Sequence, residues 1–361
     1  MTSALRVKRL RVERLRNITR AELEPSSGQN LLVGGNGQGK TTFLEAMYLL
    51  GAVRSFRGAR PADIIQSGAD NALIKGTLGV REPDSEIIIT LSRQGREIRT
   101  DGKKADLATH FRKFPIVAFH PGDLELVFGG PAIRRRFLDR MLFQAEEGYA
   151  QWFREYRRAL GNRNESLKRN RPTREIRVWD PILAELGAKM GNARARLSVL
   201  LAEATEKILE QLGVEPFVLK LEANVNPESE DILEALKRTI ESDRRRGRTS
   251  IGPHTDDLKI SRPSGLAKIV ASRGEARALT VSLRLGERKV IAQCAHAAPL
   301  LLLDDVWAEL DRERAEKVLT MVASESGQVV VTGTGGSEPA AVAGWRRFEV
   351  QGGQISSFLE G

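Results

Sequence analysis

The run Gly34-Gly35-Asn36-Gly37-Gln38-Gly39-Lys40-Thr41 has the G-x-x-x-x-G-K-[ST] spacing of a phosphate-binding loop. Glycines let consecutive backbone N–H groups turn inward toward phosphate oxygens. Lys40 is placed to reach the β- and γ-phosphates, and the Thr41 hydroxyl is placed to hold Mg²⁺. Thr42 continues the turn into a helix. A glycine-rich turn that merely opens a helix is the ordinary alternative. The short strand Leu31-Leu32-Val33 in front and the helix-spaced Phe43, Leu44, Met47, Tyr48 and Leu50 behind argue against it. Gly51 reads as the stop of that helix. The expected ligand is ATP with Mg²⁺, bound by residues 34–42.

Such a loop needs a carboxylate on the metal side. Pro299-Leu300-Leu301-Leu302-Leu303-Asp304-Asp305 reads as a buried parallel strand with acids at its C-terminal tip. Asp304 is the expected Mg²⁺ partner and Asp305 the group that polarises the attacking water. Alone, the same residues describe a strand ending in a solvated acidic turn. A third element is Ser272-Arg273-Gly274-Glu275-Ala276-Arg277, ahead of an apolar-rich helix. Ser272 and Gly274 would make a second anion site at a helix N-terminus, although in isolation they describe an ordinary N-cap. Their order, ahead of the acidic strand, resembles signature motif and Walker B strand in ATP-binding-cassette (ABC) ATPases. In that class the signature serine contacts the nucleotide of the other subunit.

The rest of the chain must position these groups. Residues 1–130 are mostly strand: Val7, Leu10, Val12 and Leu15 recur between charges, Ile87 to Ile89 and Ile98 flank a turn at Gln94-Gly95, and Ile116 to Phe119 form a buried strand. From 131 to 248 the period becomes helical. Ile133, Phe137 and Met141 are spaced by four, and one stripe from Ile182 to Leu212 predicts a long helix, with Gly187 and Gly191 able to bend or break it. Strand character returns at Ile269-Val270, Leu300 to Leu303 and Val329 to Val331. The expected organisation is an α/β head in two pieces, 1–130 and 249–361, around a helical arm insertion at 131–248.

The 361 residues carry 57 Lys+Arg against 47 Asp+Glu, net +10. A basic surplus favours a polyanion, or simply solubility. It is clustered: residues 1–20 hold seven basic residues and one acid, and residues 131–200 hold 16 basic and 8 acidic, net +8. The strongest apolar stretch, Ala297 to Leu303, is far short of the ~20 residues of a membrane span. The N-terminal Met1-Thr2-Ser3-Ala4-Leu5-Arg6 lacks the apolar region of a secretory signal. The single cysteine, Cys294, cannot close an internal disulfide, which fits a reducing, cytoplasmic setting. His110, His120, His254 and His296 show no metal-ligand spacing. His254 beside Asp256 and Asp257 reads as a metal site or as a turn before a strand.

Taken together the motifs resemble the RecF family of bacterial recombination-repair ATPases, relatives of SMC and Rad50 heads. The resemblance runs nearly end to end. Beyond the phosphate loop it rests on Leu15-Arg16-Asn17, Ser55-Phe56-Arg57, Phe119-His120-Pro121-Gly122-Asp123-Leu124, Arg134-Arg135-Arg136-Phe137-Leu138-Asp139, Gly252-Pro253-His254-Thr255-Asp256-Asp257-Leu258, Ser272 to Glu275, and Asp304-Asp305-Val306 through Asp311. It implies an ABC-type, Rad50-like α/β head with a short helical arm. It also implies a dimer that sandwiches ATP, weak DNA-stimulated hydrolysis, and binding of duplex, single-stranded and gapped DNA. Further implications are cooperation with RecO and RecR in loading RecA, and roles in replication restart and the SOS response. Thr255 stands where the family has an arginine, and Thr332-Gly333-Thr334 stands where transporter ATPases carry a switch histidine. No Q-loop glutamine follows Phe119. The competing readings are a transporter ATPase subunit, which an LSGGQ-type signature would have supported, and a short SMC- or Rad50-type structural ATPase.

Overall fold

The computed structural model describes residues 3–79, 83–295, 297–336 and 338–357. Met1, Thr2 and His296 lie outside the described residues. The chain divides into two units: residues 1–124, 207–215 and 271–361, and residues 125–206 and 216–270.

The first unit holds two six-stranded sheets. One is antiparallel, in the order Ile18–Leu23, Arg6–Leu15, Asn71–Gly79, Ser85–Ser92, Gly95–Thr100, Lys103–Lys104. Its strands alternate buried and exposed residues, as a half-covered sheet requires. The other runs Gln354–Ser357, Arg346–Gln351, Gln29–Val33, Val329–Gly333, Leu300–Leu303, Ile116–Phe119, parallel except for the terminal hairpin. Its inner strands are buried on both faces, which is why Leu300–Leu303 and Val329–Gly333 read as unbroken apolar runs. Helix Lys40–Ala52 packs against strands of both sheets and is buried nearly all round. It does not stop at Gly51. A Cβ there would lie 2.6 Å from both Phe114 O and Ile116 Cγ2, so glycine marks a close approach, and the helix runs on to Ala52 with Val53 as its C-cap.

The second unit is helical with one small sheet. Its longer helices are Pro131–Ala145, Tyr149–Lys168, Ser229–Arg246 and Asp180–Gln211, whose residues 207–211 count with the first unit. Gly187 and Gly191 do not break that helix into two elements. They sit where Ile232, Pro253 and Tyr156, and Pro227, approach closely. Strand Val218–Glu222 pairs with Asp257–Arg262, which pairs with Gly265–Leu266. That pairing draws 249–270 into the second unit, so the division differs from the expected boundaries at 130/131 and 248/249. Ile269-Val270 ends a short helix, Ala267–Val270, not a strand, and Ile269 is largely exposed. The interior is closed by fully buried Arg163, which donates to Asp180 at 2.8 Å and to Asp243 and Thr249 at 2.9 Å.

Candidate nucleotide-binding site

The phosphate loop follows strand Gln29–Val33 and opens helix Lys40–Ala52. It lies at the carboxyl end of the parallel sheet, where open α/β sheets bind ligands. Gly39 is left-handed (φ 115°) and aims the first helical N–H groups into the loop. Lys40 Nζ donates to Gly34 O at 2.7 Å and Gly35 O at 2.9 Å, which curls the ammonium over the loop. The loop is held from both sides. Asn17 donates to Gly37 O at 3.1 Å and accepts the Thr42 hydroxyl at 3.0 Å. The turn of the terminal hairpin clamps Gln38: Gly353 N–H donates to its backbone oxygen at 2.8 Å and Gly352 N–H to its Oε1 at 2.6 Å. A Cβ on Gly34 would lie 2.2 Å from Val350 O, so that position admits only glycine.

Asp304 is 5% exposed at the tip of Leu300–Leu303. Its Oδ1 accepts the Thr41 hydroxyl at 2.9 Å and the Thr332 hydroxyl at 2.8 Å. Burial raises its pKa, opposed by those two hydrogen bonds. Thr332 also accepts the Asp305 N–H at 3.0 Å and so fixes both acids. Asp305 takes a left-handed conformation (φ 50°), which turns it out of the strand line. A cavity of about 300 Å³ is lined by Arg16, Asn17, Asn36 to Thr42, Arg57 and Asp305. Gly34 and Gly35 line a second cavity of about 540 Å³, with Thr334, Arg347 and Glu349. The geometry thus gathers Gly34, Gly35, Asn36, Gly37, Gln38, Gly39, Lys40, Thr41, Thr42, Asp304 and Asp305.

Ser272 and Gly274 do not line either cavity. They are exposed at the start of helix Arg273–Ala295, where Ser272 and Glu275 form a reciprocal capping box: Glu275 N–H donates to Ser272 Oγ at 3.2 Å and Ser272 N–H to Glu275 at 2.9 Å. Further along this helix, buried Arg284 binds Asp123 through Nη2 at 2.5 Å and Nε at 3.0 Å. Burial pushes the Asp123 carboxyl up, but Arg284 and then His120 outweigh it and hold that carboxyl well below the usual range. His120 follows strand Ile116–Phe119, whose Phe119 O accepts the Asp304 N–H at 3.0 Å. The His120 ring is 3.3 Å from Asp123.

Sequence reasoning named the loop and both acids but gave no site role to Arg57, to Asn17 as the loop's clamp, or to Thr332 beneath Asp304. For Arg57 and Asn17 the only signal was their place in the resemblance. The basic N-terminal strand also differs from its composition. Lys8 pairs with Asp84 at 2.7 Å, Arg9 with Glu22 at 2.6 Å, Arg11 with Glu13, and Arg16 with buried Glu45. With Arg14 4.0 Å from Glu13, five of the seven cations of residues 1–20 are therefore paired within the fold. His254 is no metal ligand: Nε2 meets Thr249 O at 3.0 Å and Nδ1 meets the Tyr156 hydroxyl at 2.7 Å. Among the described residues no cluster of three or more His, Cys, Asp or Glu could hold a metal alone, and no described helix is long and apolar enough to cross a membrane.

Mg²⁺ is commonly held by one or two protein ligands, with phosphates and water completing its shell. The Thr41 hydroxyl and the buried Asp304 carboxylate are a donor set of that kind, and the loop N–H groups with Lys40 suit a triphosphate.

Residues 6–337 match the RecF/RecN/SMC N-terminal domain model. The chain is 35% identical to the DNA replication and repair protein RecF of Myxococcus xanthus, covering 98% of this chain and 97% of that one. Among solved structures it is similar to the recombination mediator protein RecF with ATP, from the RecFOR pathway. That match has 27% identity and a TM-score of 0.89, over 99% of this chain and all of that one. An Smc head bound to the C-terminal winged-helix domain of ScpA shares the fold at 17% identity and a TM-score of 0.58, over 98% and 97% of the two chains. The fold is the α/β fold of an ABC-type, Rad50-like ATPase head carrying an inserted, mainly helical arm.

Proposed function

The chain belongs to the RecF/RecN/SMC N-terminal domain family, and on that footing we propose that it is an ATP-switched DNA-binding protein of replication and recombinational repair. The observation that carries the reading is the meeting of Lys40, Thr41 and Asp305 on one cavity, with Asp304 hydrogen-bonded to Thr41.

The N–H groups of residues 36–41 and the Lys40 ammonium bind the ATP phosphates. Thr41 and Asp304 hold Mg²⁺, which when bound neutralises charge on the β- and γ-phosphates. Asp305 orients the attacking water. Arg57, an exposed cation on the cavity wall, adds positive charge where negative charge develops. Thr332 holds Asp304 at the position where transporter ATPases carry a switch histidine, and a hydroxyl that only accepts and donates hydrogen bonds there supports slow turnover. Ser272 and Gly274 of a second copy close on the γ-phosphate, so ATP joins two like subunits into a dimer. DNA, whether duplex, single-stranded or gapped, binds through phosphate contacts to the basic second unit. RecO and RecR act with it in loading RecA, and through that in replication restart and SOS induction, inside the cytoplasm.

The deciding experiment compares wild type with Lys40→Ala. Loss of two or more charge-assisted phosphate contacts should weaken ATP binding by roughly 100-fold. ATP-dependent dimerisation and ATP-dependent DNA binding should vanish with it, while circular dichroism and melting stay near wild type. ATP binding at wild-type affinity would overturn the assignment of the loop.

A further inference from the structure

We propose that the second unit contains a phosphate-binding pocket for nucleic acid, built on Arg135, Arg136, Arg157 and Arg194. The pocket is a cavity of about 220 Å³ among helices Pro131–Ala145, Tyr149–Lys168 and Asp180–Gln211 and the turn at His254. Nothing in the ATP chemistry uses it.

Its floor is Arg194, 2% exposed. Arg194 Nη2 donates to Asp139 at 2.7 Å and Nη1 to Asp256 at 3.0 Å, while its buried Nε has no partner. Arg135 donates to the backbone oxygen of Asp256 at 2.6 Å and reaches no carboxylate within ion-pair distance among the described residues. Arg136 and Arg157 stand exposed at the rim, also without an ion pair among the described residues. Buried and half-buried cations are normally paired. Here four guanidinium groups face one lining carboxylate, Asp139, with Asp256 behind. The crowding is visible in Arg135, whose pKa is lowered by burial and then by Arg194.

His254 adds no charge. Thr249 O can only accept, so Nε2 carries the proton, and Nδ1 accepts the Tyr156 hydroxyl. The pocket is thus a cluster of planar donor forks with an anion-sized deficit of negative charge. Phosphate oxygens satisfy such forks bidentately. Phe153, Met190 and Ala132 supply an apolar wall beside them, and Arg157 lies 5.9 Å from the Phe153 ring centroid. A sugar attached to the phosphate fits that wall, which favours a nucleic-acid strand over free phosphate. The identification of the strand as DNA rests on the functional reading above.

Two measurements test it on the full chain. In the first, arginine-selective labelling is read by peptide mass spectrometry. A single-stranded oligodeoxynucleotide should protect Arg136 and Arg157 and leave Arg245 and Arg246, on another helix of the same unit, labelled. Protection by inorganic phosphate alone at the same phosphate concentration would reassign the pocket to the free ion and overturn the nucleic-acid assignment. In the second, DNA affinity is followed against salt with ATP for wild type, R136Q/R157Q and R245Q/R246Q. Loss of two phosphate contacts should lower the log–log slope by roughly 1.4 to 1.8 in R136Q/R157Q. It should change little in R245Q/R246Q, with ATP-dependent dimerisation unchanged in both. Wild type that binds DNA while neither rim arginine is protected and R136Q/R157Q keeps its slope would overturn the pocket and leave the functional reading standing. A wild-type chain that binds no DNA would overturn both.

Discussion

The Thr41 hydroxyl donates to Asp304 Oδ1 at 2.9 Å, joining the first turn of the phosphate-loop helix to the tip of a strand more than 260 positions away in the chain. The pair is buried on the Asp304 side, and a second hydroxyl, Thr332, donates to the same oxygen. An anionic carboxylate satisfied by two hydroxyls is poised to exchange them for a cation. Asp304→Asn removes the charge and keeps the shape. It should still bind ATP, with apparent Mg²⁺ affinity lowered roughly 10–100-fold. Thr41→Ser should behave like wild type, because it keeps the hydroxyl. Nucleotide affinity titrated against Mg²⁺ checks both, and an unchanged Mg²⁺ dependence in Asp304→Asn would remove the metal role. Asp305→Asn should bind ATP and hydrolyse it at least ~10-fold more slowly, as loss of a water-orienting base implies.

Ser272 is exposed and lies outside both cavities flanking the phosphate loop, with its hydroxyl satisfied by Glu275. Oγ only accepts there, so the exposed hydroxyl keeps its own proton to donate to a second copy's nucleotide. Ser272→Arg should therefore keep monomeric ATP binding and lose ATP-dependent dimerisation, followed by light scattering with and without ATP. Loss of the cap itself should cost only about 1 kcal/mol. A variant that dimerises normally with ATP would sink the composite site.

The loop, the acidic strand and the parallel sheet were legible because each is a local pattern: a fixed motif spacing, an unbroken apolar run, an acid at its end. The departures are all tertiary. Gly51 looked like a stop because glycine usually is one, but its place is set by Phe114 and Ile116 from another segment. Gly187 and Gly191 looked like breaks for the same reason, and packing against Tyr156 and Pro227 overrides their propensity. Ile269-Val270 has β-branched side chains without a strand neighbour to receive them. The boundary of the second unit is set by pairing of Val218–Glu222 with Asp257–Arg262, a long-range contact that no local period announces. Thr332 stood out only by its place opposite the transporter switch histidine; its hydrogen bond beneath Asp304 had no signal, since a lone threonine in a buried strand carries no spacing.

Arg134 is the residue of the arginine triplet that the fold itself uses. Nε and Nη2 grip Asp257 at 2.8 and 2.9 Å, and Nη1 donates to Gly129 O at 2.7 Å. Arg134→Ala leaves a half-buried carboxylate unpaired and should destabilise the chain by roughly 3 kcal/mol. Arg136→Gln, at an exposed position, should stay within about 0.5 kcal/mol of wild type. Reversing all three arginines would therefore report unfolding as lost DNA binding. Urea denaturation of the two single variants checks the split, and equal stabilities would contradict the structural role of the Arg134–Asp257 pair.

His110 gives the chain a pH dependence with a definite sign. It is 3% exposed on helix Leu107–Lys113, its Nε2 meets Leu50 O at 2.8 Å, and its Nδ1 is buried without a partner. Burial lowers its pKa from 6.5 to about 4, the Leu50 hydrogen bond opposing and Lys113 assisting. The folded state thus binds fewer protons than the unfolded state between those two values. Its contribution to stability is complete above pH 6.5 and is lost as pH falls through that window, by roughly 2 kcal/mol at pH 5. His110→Gln keeps a donor for Leu50 O and cannot titrate. It should be less stable than wild type at pH 7 and lose less stability on going to pH 5. Denaturant midpoints at the two pH values measure the difference. Equal pH slopes in the two proteins would show that His110 is not the group buried in its neutral form.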